Sequence, residues 1–183
     1  MSVRAERLAR YAFPAGVLVV ATQAQLGAGV ALTEGHFVDP FAYCAAVGTV
    51  AAPDARYTGP AMPEAVARGL KAALVLPADA PIEPLLRHSI WRCMNGQVHA
   101  CTVGANLPCA AKADTRREPA PALVDFCGQN PGAEVIPMAV TGRATVFEWR
   151  CAGARPAIVR QFAQPDAAGY LASIWYAIAP TTP

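Results

Sequence analysis

Six cysteines are the residues of this chain whose type and spacing most directly suggest chemistry. They are Cys44, Cys93, Cys101, Cys109, Cys127 and Cys151. An even number of cysteines in a short chain of an oxidising compartment is typical of a disulfide framework. Structural zinc sites use closer pairs such as CxxC, whereas the shortest gaps here, such as Cys93 to Cys101, span eight residues. The spacing therefore favours disulfide bonds, and we expect neither a metal site nor a cofactor.

Hydrolytic chemistry is the alternative, and it would need a site assembled from side chains that are distant in sequence. Its first candidates are His88, His99, Asp125 and Glu148. The chain contains no glycine-rich phosphate loop, no GxSxG nucleophile elbow, no HExxH helix and no EF-hand loop. Because no motif unites the four candidates, the sequence assigns no catalytic residue and favours a non-catalytic protein over an enzyme.

The pair Asn95-Gly96 restricts how the cysteines are joined. Between two alternating apolar segments, this pair predicts a two-residue turn that connects strands 89–94 and 97–103. Side chains alternate between the two faces of a strand, so in this register Cys93 and Cys101 point to opposite faces. We therefore expect no disulfide between these two cysteines.

Two other pairings stay open at this point. A bond between Cys101 and Cys109 is compatible with the hairpin, because residues 104–108 can turn the chain back. A bond between Cys93 and Cys151 is the second candidate, since both end the same tripeptide, Trp-Arg-Cys, at 91–93 and 149–151. This echo indicates either a duplicated hairpin, with cysteines tied to each other or to equivalent partners, or a coincidence between two similar strands.

The elements that would position these residues are read from periodicity and turn signals. Residues 37–50 are apolar and favour an extended segment around Cys44. Residues 64–76 have a helical pattern that starts after Pro63 and is stopped by Pro77. Residues 122–127 predict a second, short helix that ends before Gly128.

The last third of the chain reads as an antiparallel meander. Alternation and turn residues predict strands over 142–151, 156–162 and 170–178. Aromatic side chains fall on both faces of the last strand, which indicates that it is covered on both sides. The predicted fold is therefore α+β: an antiparallel sheet from two hairpin or meander units, two short helices, and disulfides that stabilise them.

The first 31 residues have the pattern of a signal peptide. Three arginines, Arg4, Arg7 and Arg10, precede the apolar run 12–21, and small residues then offer cleavage near residue 24 or near residue 31. An uncleaved membrane anchor is the alternative, because residues 11–32 carry no charge. The chain would then be a structural protein of the envelope, anchored in the inner membrane and facing the periplasm. We expect residues 32–183 to form a single disulfide-stabilised domain of the periplasm or exterior.

The charge balance argues against nucleic acid as a partner. The chain has a formal net charge of +2, and beyond residue 31 its basic and acidic residues are equal in number. A neutral domain lacks the basic surface that binds a phosphate backbone. A protein of the cell envelope is the expected partner, and contact with a membrane is expected only if the first segment stays uncleaved.

The layout resembles small exported bacterial proteins with six cysteines, which are uncharacterised. The resemblance is carried by WRCMNGQVHACTVGANLPC (residues 91–109) and by the pattern TGRATVFEWRC…IVRQF…GYLASIWYAI (residues 141–178). It implies location and no activity. The function expected is that of an exported, non-catalytic binding or accessory protein, such as an inhibitor or a complex subunit. The expected binding surface consists of Trp149, Trp175, Tyr176 and Arg92, with Phe147 nearby.

Overall fold

A computed structural model describes residues 35–104 and 106–180 of the chain. The predicted signal peptide, its cleavage sites and the alternative membrane anchor lie outside these residues. The leader and the domain boundary at residue 32 therefore stay predictions. Within the described residues, no helix is long and apolar enough to cross a membrane.

Helices and short antiparallel strands occur in separate runs along the described chain, as is usual in an α+β fold. Their order is α1 (Pro40–Val47), α2 (Glu64–Ala73), α3 (Glu83–His88), β1 (Ser89–Met94), β2 (Gln97–Thr102), α4 (Pro121–Gln129), α5 (Met138–Thr141), β3 (Phe147–Ala152), β4 (Arg155–Gln161), a 3₁₀ helix (Ala172–Ile174) and β5 (Tyr176–Ile178). The predicted fold class is confirmed. The described residues nevertheless hold five α-helices rather than two. α3 and α5 are proline-started turns that are too short to show a helical period, and α1 lies where an extended segment was expected.

The β1–β2 hairpin has the register that its turn predicts. Met94 pairs with Gln97, and Ile90 pairs with Cys101. The turn residues Asn95 and Gly96 both have positive φ, at 53° and 77°. This left-handed backbone is the conformation that a two-residue turn of the predicted type needs, and asparagine and glycine adopt it most readily.

The apolar segment around Cys44 is a helix, not the extended segment that was predicted. Asp39 caps α1, because its side chain accepts a hydrogen bond from the backbone N–H of Phe41 at 3.0 Å. Pro40 follows at the first helical position, where its missing N–H costs nothing. A short apolar run does not distinguish a buried helix from a buried strand, and the capping residues decided it.

The predicted meander is wrong in its last strand. β3 and β4 form a separate two-stranded sheet, whereas β5 pairs with β2 in a three-stranded sheet of order β1-β2-β5. The pairing is antiparallel and places Ile178 opposite Val98. After the second hairpin, the chain therefore crosses to the first sheet. There β5 adds the third strand, although it is far from β2 in the sequence.

The first sheet is covered on both faces. Trp91, Cys93 and Val98 point towards the side chains of α1 and α2, in the larger core cluster. On the other face, Cys101 is buried with Tyr170 and Trp175 from the segment that leads into β5. Cover on both faces explains why β1 and β2 are apolar with little alternation.

The second sheet packs on α4 through one face only. Phe147, Trp149 and Cys151 of β3 are buried with Leu123 and Cys127 of α4, whereas the intervening residues of β3 are exposed. This burial follows the alternation that the sequence predicts for the strand. The second hairpin therefore has its own small core.

All six cysteines form disulfides, as expected. The pairs are Cys44–Cys93, Cys101–Cys109 and Cys127–Cys151. The bond from Cys101 to Cys109 is one that the hairpin register left open, and the bond from Cys93 to Cys151 does not form. Each Trp-Arg-Cys strand instead joins its cysteine to a helix. Three disulfides point to an oxidising, extracytoplasmic setting.

Removal of the disulfides one at a time is expected to destabilise the protein in the order of the loops that they close. The loops span 49, 24 and 8 residues for Cys44–Cys93, Cys127–Cys151 and Cys101–Cys109. Loop-closure entropy predicts losses of about 4, about 3.5 and about 2.5 kcal/mol for the paired Cys→Ala variants. Urea unfolding of each variant checks this order, and a largest loss for the shortest loop would contradict it.

The contact between α2 and β5 is tested at Gly69. A Cβ at this position would overlap Cγ2 of Ile178, so Gly69→Ala is expected to destabilise the protein by about 1–3 kcal/mol. Gly128→Ala in α4 is the matched control, because a Cβ there meets nothing within 4 Å. The control is expected to gain about 0.5–1 kcal/mol. Thermal unfolding measures both variants. If both changed the stability in the same direction, the packing of β5 against α2 would be contradicted.

Candidate functional site

An ion pair between Arg92 and Asp166 lies in the interior, on the face of the first sheet that points away from α1. The Arg92 side chain is 0% exposed and that of Asp166 is 7% exposed. Asp166 belongs to the segment between β4 and β5, and its Oδ1 accepts the N–H groups of Ala168 and Tyr170 at 2.8 and 3.1 Å. The carboxylate therefore shapes its own loop and holds the buried cation.

Aromatic rings complete the surroundings of the Arg92 guanidinium. Its Cζ atom lies 4.3 Å from the ring centroids of both Tyr170 and Trp175. Nε and Nη1 of Arg92 have no hydrogen-bond partner among the described residues. The faces of the two rings therefore supply much of the stabilisation that water would give this cation.

Two titratable groups of this cluster have lowered pKa values. Burial alone would raise the pKa of Asp166, but the hydrogen bond from Arg92 and the two backbone N–H groups outweigh it, so that the pKa lies below its ordinary value. Burial, reinforced by the Arg92 charge and opposed by Asp166, lowers the pKa of His99. At neutral pH we therefore expect a charged Arg92–Asp166 pair beside a neutral His99.

The cluster is a structural core rather than the contact surface that the sequence suggested. Arg92, Trp149 and Trp175 are 0%, 7% and 7% exposed, and Tyr176 is half-buried against the first core. Three of the four residues expected to form a binding surface are thus packed inside. These side chains are buried because both faces of the first sheet are covered, and because Trp149 of β3 packs in the core that β3 shares with α4.

An open cleft of about 230 Å³ lies beside β3, and we call it the β3 cleft. Buried aromatic side chains of β3, those of Phe147 and Trp149, line its interior. The segment 134–143, which includes α5, lines one part, and Phe162 after β4 lines another. Trp149 is therefore the member of the expected binding surface that does contribute to a concave site.

The exposed lining of the β3 cleft is strongly apolar. Val135 is 85% exposed, Phe162 is 55% exposed and Met138 is 45% exposed. Large apolar side chains that crowd around one concavity mark a contact site more specifically than the same side chains scattered over a surface. The arrangement can receive an apolar group and remove both surfaces from water.

Charged side chains border this apolar lining. Glu134, Arg143 and Glu148 are exposed where they line the β3 cleft. Glu148 already accepts a hydrogen bond from Arg160 at 2.6 Å across the β3–β4 pair. An apolar centre with a mixed polar border is the usual composition of a protein–protein contact.

The hydrolase candidates are not assembled into a site. His88 ends α3 and is exposed, Asp125 is exposed on α4, and His99 is buried in β2. Glu148 alone of the four lines the β3 cleft. The hydrolase alternative needs at least two of them in one cleft, and the clefts described here do not provide that.

A second cleft, of about 380 Å³, lies between α1, the β1–β2 turn and β5. It reaches Pro180, where the described residues end. None of the sequence candidates for catalysis lines it. Elsewhere too, no group of three or more histidine, cysteine, aspartate or glutamate side chains in the described chain could hold a metal ion.

No family model, no curated protein and no solved structure matches the chain. The six cysteines agree with the resemblance to small exported bacterial proteins, and export itself stays a prediction. Function is therefore inferred from the residues of the site and from their surroundings.

Several residues of the β3 cleft were missed by sequence reasoning. Val135 and Met138 lie in a segment for which the sequence predicts neither helix nor strand, and Phe162 is the last residue of the predicted strand 156–162. The available signal is the apolar run 135–140, in which Pro137 interrupts any regular period. The exposure of these apolar residues depends on which segments pack against them, and the apolar run alone does not specify those segments.

Loss of the charge on Asp166 is expected to destabilise the protein by about 3–5 kcal/mol, because it leaves the Arg92 cation unpaired in the interior. Asp166→Asn is the suitable variant, since it keeps an oxygen for the loop N–H groups. Urea unfolding at pH 7 measures the loss. The matched control is Glu64→Gln, which removes an exposed pair with Arg68 and should cost less than about 1 kcal/mol.

The same pair predicts an acid dependence of stability. The pKa of Asp166 is lower in the folded than in the unfolded state, so its contribution is present above the unfolded value of about 3.9 and is lost as the pH falls through the folded value. The free energy of unfolding of Asp166→Asn should therefore fall less steeply with acid than that of the unmodified protein. Parallel pH curves for the two proteins would contradict this.

Proposed function

We propose that this chain is an exported, non-catalytic binding or accessory protein of the cell envelope or exterior, and that the β3 cleft receives an apolar side chain of a partner protein. The observation that carries the proposal is the group of exposed apolar residues around a concavity with an aromatic interior. The disulfides support the location, since they would be reduced in an ordinary cytosol.

The size of the β3 cleft favours a side chain over a free small molecule. Its volume of about 230 Å³ is below the range of roughly 300–1,000 Å³ that is typical of sites for drug-sized ligands. An anchoring side chain of a protein needs less room and gains its remaining contacts on the border. Val135, Met138 and Phe162 supply such contacts beside the concavity.

The expected strength of such a contact follows from the buried apolar area. Full burial of one large apolar side chain contributes about 1.5–3 kcal/mol. A few residues near the centre of a contact usually carry most of its free energy. Replacement of one exposed wall residue should therefore weaken binding by about tenfold or more.

The proposal is tested by capture from extracytoplasmic extract with matched variants. Val135→Ser and Phe162→Ser are expected to weaken the retention of a specific partner by about 10- to 100-fold. Val124→Ser is the control, because Val124 is 44% exposed on α4 and does not line the β3 cleft. Near-ultraviolet circular dichroism and thermal unfolding verify that the three variants remain folded.

Two outcomes would contradict the proposal. One is that the immobilised protein retains no partner specifically. The other is that Val124→Ser and the two cleft variants weaken retention equally, because the contact would then not depend on the β3 cleft.

A further inference from the structure

The outer face of the β3–β4 hairpin carries a group of arginines that the proposed function does not use. Burial alternates along β3, so that every second residue of this strand lies on one exposed face. Residues that pair directly across the hairpin lie on the same face. Six residues therefore form this surface, which we call the arginine face: Glu148, Arg150, Ala152, Arg155, Ala157 and Arg160.

Three arginines on this face are accompanied by a single carboxylate. Glu148 accepts a hydrogen bond from Nε of Arg160 at 2.6 Å, so that these two charges neutralise each other. Arg150 and Arg155 are exposed, and neither forms an ion pair with a described residue. Three cations and one anion leave two positive charges without a counter-ion on the arginine face.

The two unpaired arginines are neighbours on adjacent strands. Arg150 lies opposite Ala157, and the next position but one along each strand pairs Ala152 with Arg155. The two arginines are therefore diagonal neighbours, whose Cβ atoms are roughly 7 Å apart. Like charges at such a separation repel each other, and an anion bound between or beside them removes this repulsion.

The rest of the domain does not extend this positive charge. Beyond residue 31, basic and acidic residues are equal in number. At the border of the β3 cleft, Glu134 and Arg143 have opposite charges. A long polyanion, such as a nucleic acid or an anionic membrane, is attracted by an extended basic surface, which a neutral domain lacks. Two free charges on one small face match a ligand with two anionic groups instead.

The arginine face is continuous with the β3 cleft. Glu148 belongs to both, because it lies on the outer face of the hairpin and also lines the cleft. Phe162, another lining residue, follows directly after the last residue of β4. A protein segment that docks at the β3 cleft therefore has the arginine face beside it.

We infer that the arginine face binds an acidic segment of the partner protein, in which two carboxylates lie on the same side of an extended chain. The inference rests on the proposed function for the class of partner, and it adds the charge that this partner contributes. Side chains two residues apart in an extended chain point to the same side and are about 6.6 Å apart, which matches the diagonal spacing of Arg150 and Arg155. A guanidinium group can donate two parallel hydrogen bonds to one carboxylate, so that each arginine holds one acidic side chain.

The test compares peptides that differ only in the spacing of their carboxylates. Acetyl-Thr-Glu-Thr-Glu-Thr-amide presents both carboxylates on one side of an extended chain, whereas acetyl-Thr-Thr-Glu-Glu-Thr-amide presents them on opposite sides. The glutamine analogue of the first peptide is uncharged. The full chain, labelled with ¹⁵N and with its disulfides intact, is titrated with each peptide at low salt, and the Nε–H signals of its arginines report binding. The single variants Arg150→Gln and Arg155→Gln assign the two signals.

We expect the signals of Arg150 and Arg155 to shift with the first peptide. Its affinity should exceed that of the second peptide by about threefold or more, and that of the glutamine analogue by about tenfold. The double variant Arg150→Gln/Arg155→Gln should bind the first peptide as weakly as the unmodified chain binds the glutamine analogue. Arg87→Gln is the matched control, because Arg87 is exposed on α3, forms no ion pair with a described residue and lies outside the arginine face.

Two results would overturn the inference. One is that the two glutamate peptides bind equally, or that Arg87→Gln weakens binding as much as the double variant does. The other is that phosphatidylglycerol vesicles bind the chain and lose this binding in the double variant, while neither glutamate peptide binds. The arginine face would then be a lipid contact.

Partner capture from extracytoplasmic extract separates failure of the inference from failure of the proposed function. If capture depends on Val135 and Phe162 but is unchanged in the arginine double variant, the acidic segment is wrong and the binding function remains. If the first peptide binds selectively but no partner is captured, the preference for spaced carboxylates remains and the binding function falls.

Discussion

The buried charge of Arg92 is the constraint on which much of the fold depends. A guanidinium without exposure to water is costly unless it has an anion and further favourable contacts. Asp166 provides the anion, and Tyr170 and Trp175 provide the aromatic contacts. All three come from the segment that follows the second hairpin, so this segment lies across the first sheet and leads β5 to the edge of β2.

The tripeptide Trp-Arg-Cys has different surroundings in the second hairpin. Arg150 holds the same place in its tripeptide as Arg92, but it is exposed, because nothing of the described chain covers that face of β3. Thus the two Trp-Arg-Cys strands each bond their cysteine to a helix but differ in what packs around their arginine. The tryptophans of both strands are buried, and Trp149 also lines the β3 cleft.

The second disulfide gives a physical account of how a small protein can combine stability with exposed apolar residues. The Cys127–Cys151 bond ties α4 to β3 and stabilises a hairpin that would otherwise have a small core. With the hairpin held in this way, the neighbouring apolar residues need not all be buried. Val135, Met138 and Phe162 remain exposed around the β3 cleft.

Local signals in the sequence by themselves determined the parts of the fold that depend on adjacent residues. Asn95-Gly96 determined the hairpin register and hence the opposite faces of Cys93 and Cys101. Proline and glycine determined the approximate limits of α2 and α4. Only the tertiary structure decided the pairing of β5 with β2, the burial of Arg92 and the exposure of Phe162. These features depend on contacts between segments far apart in the chain, and residue type and spacing do not specify which distant surfaces meet.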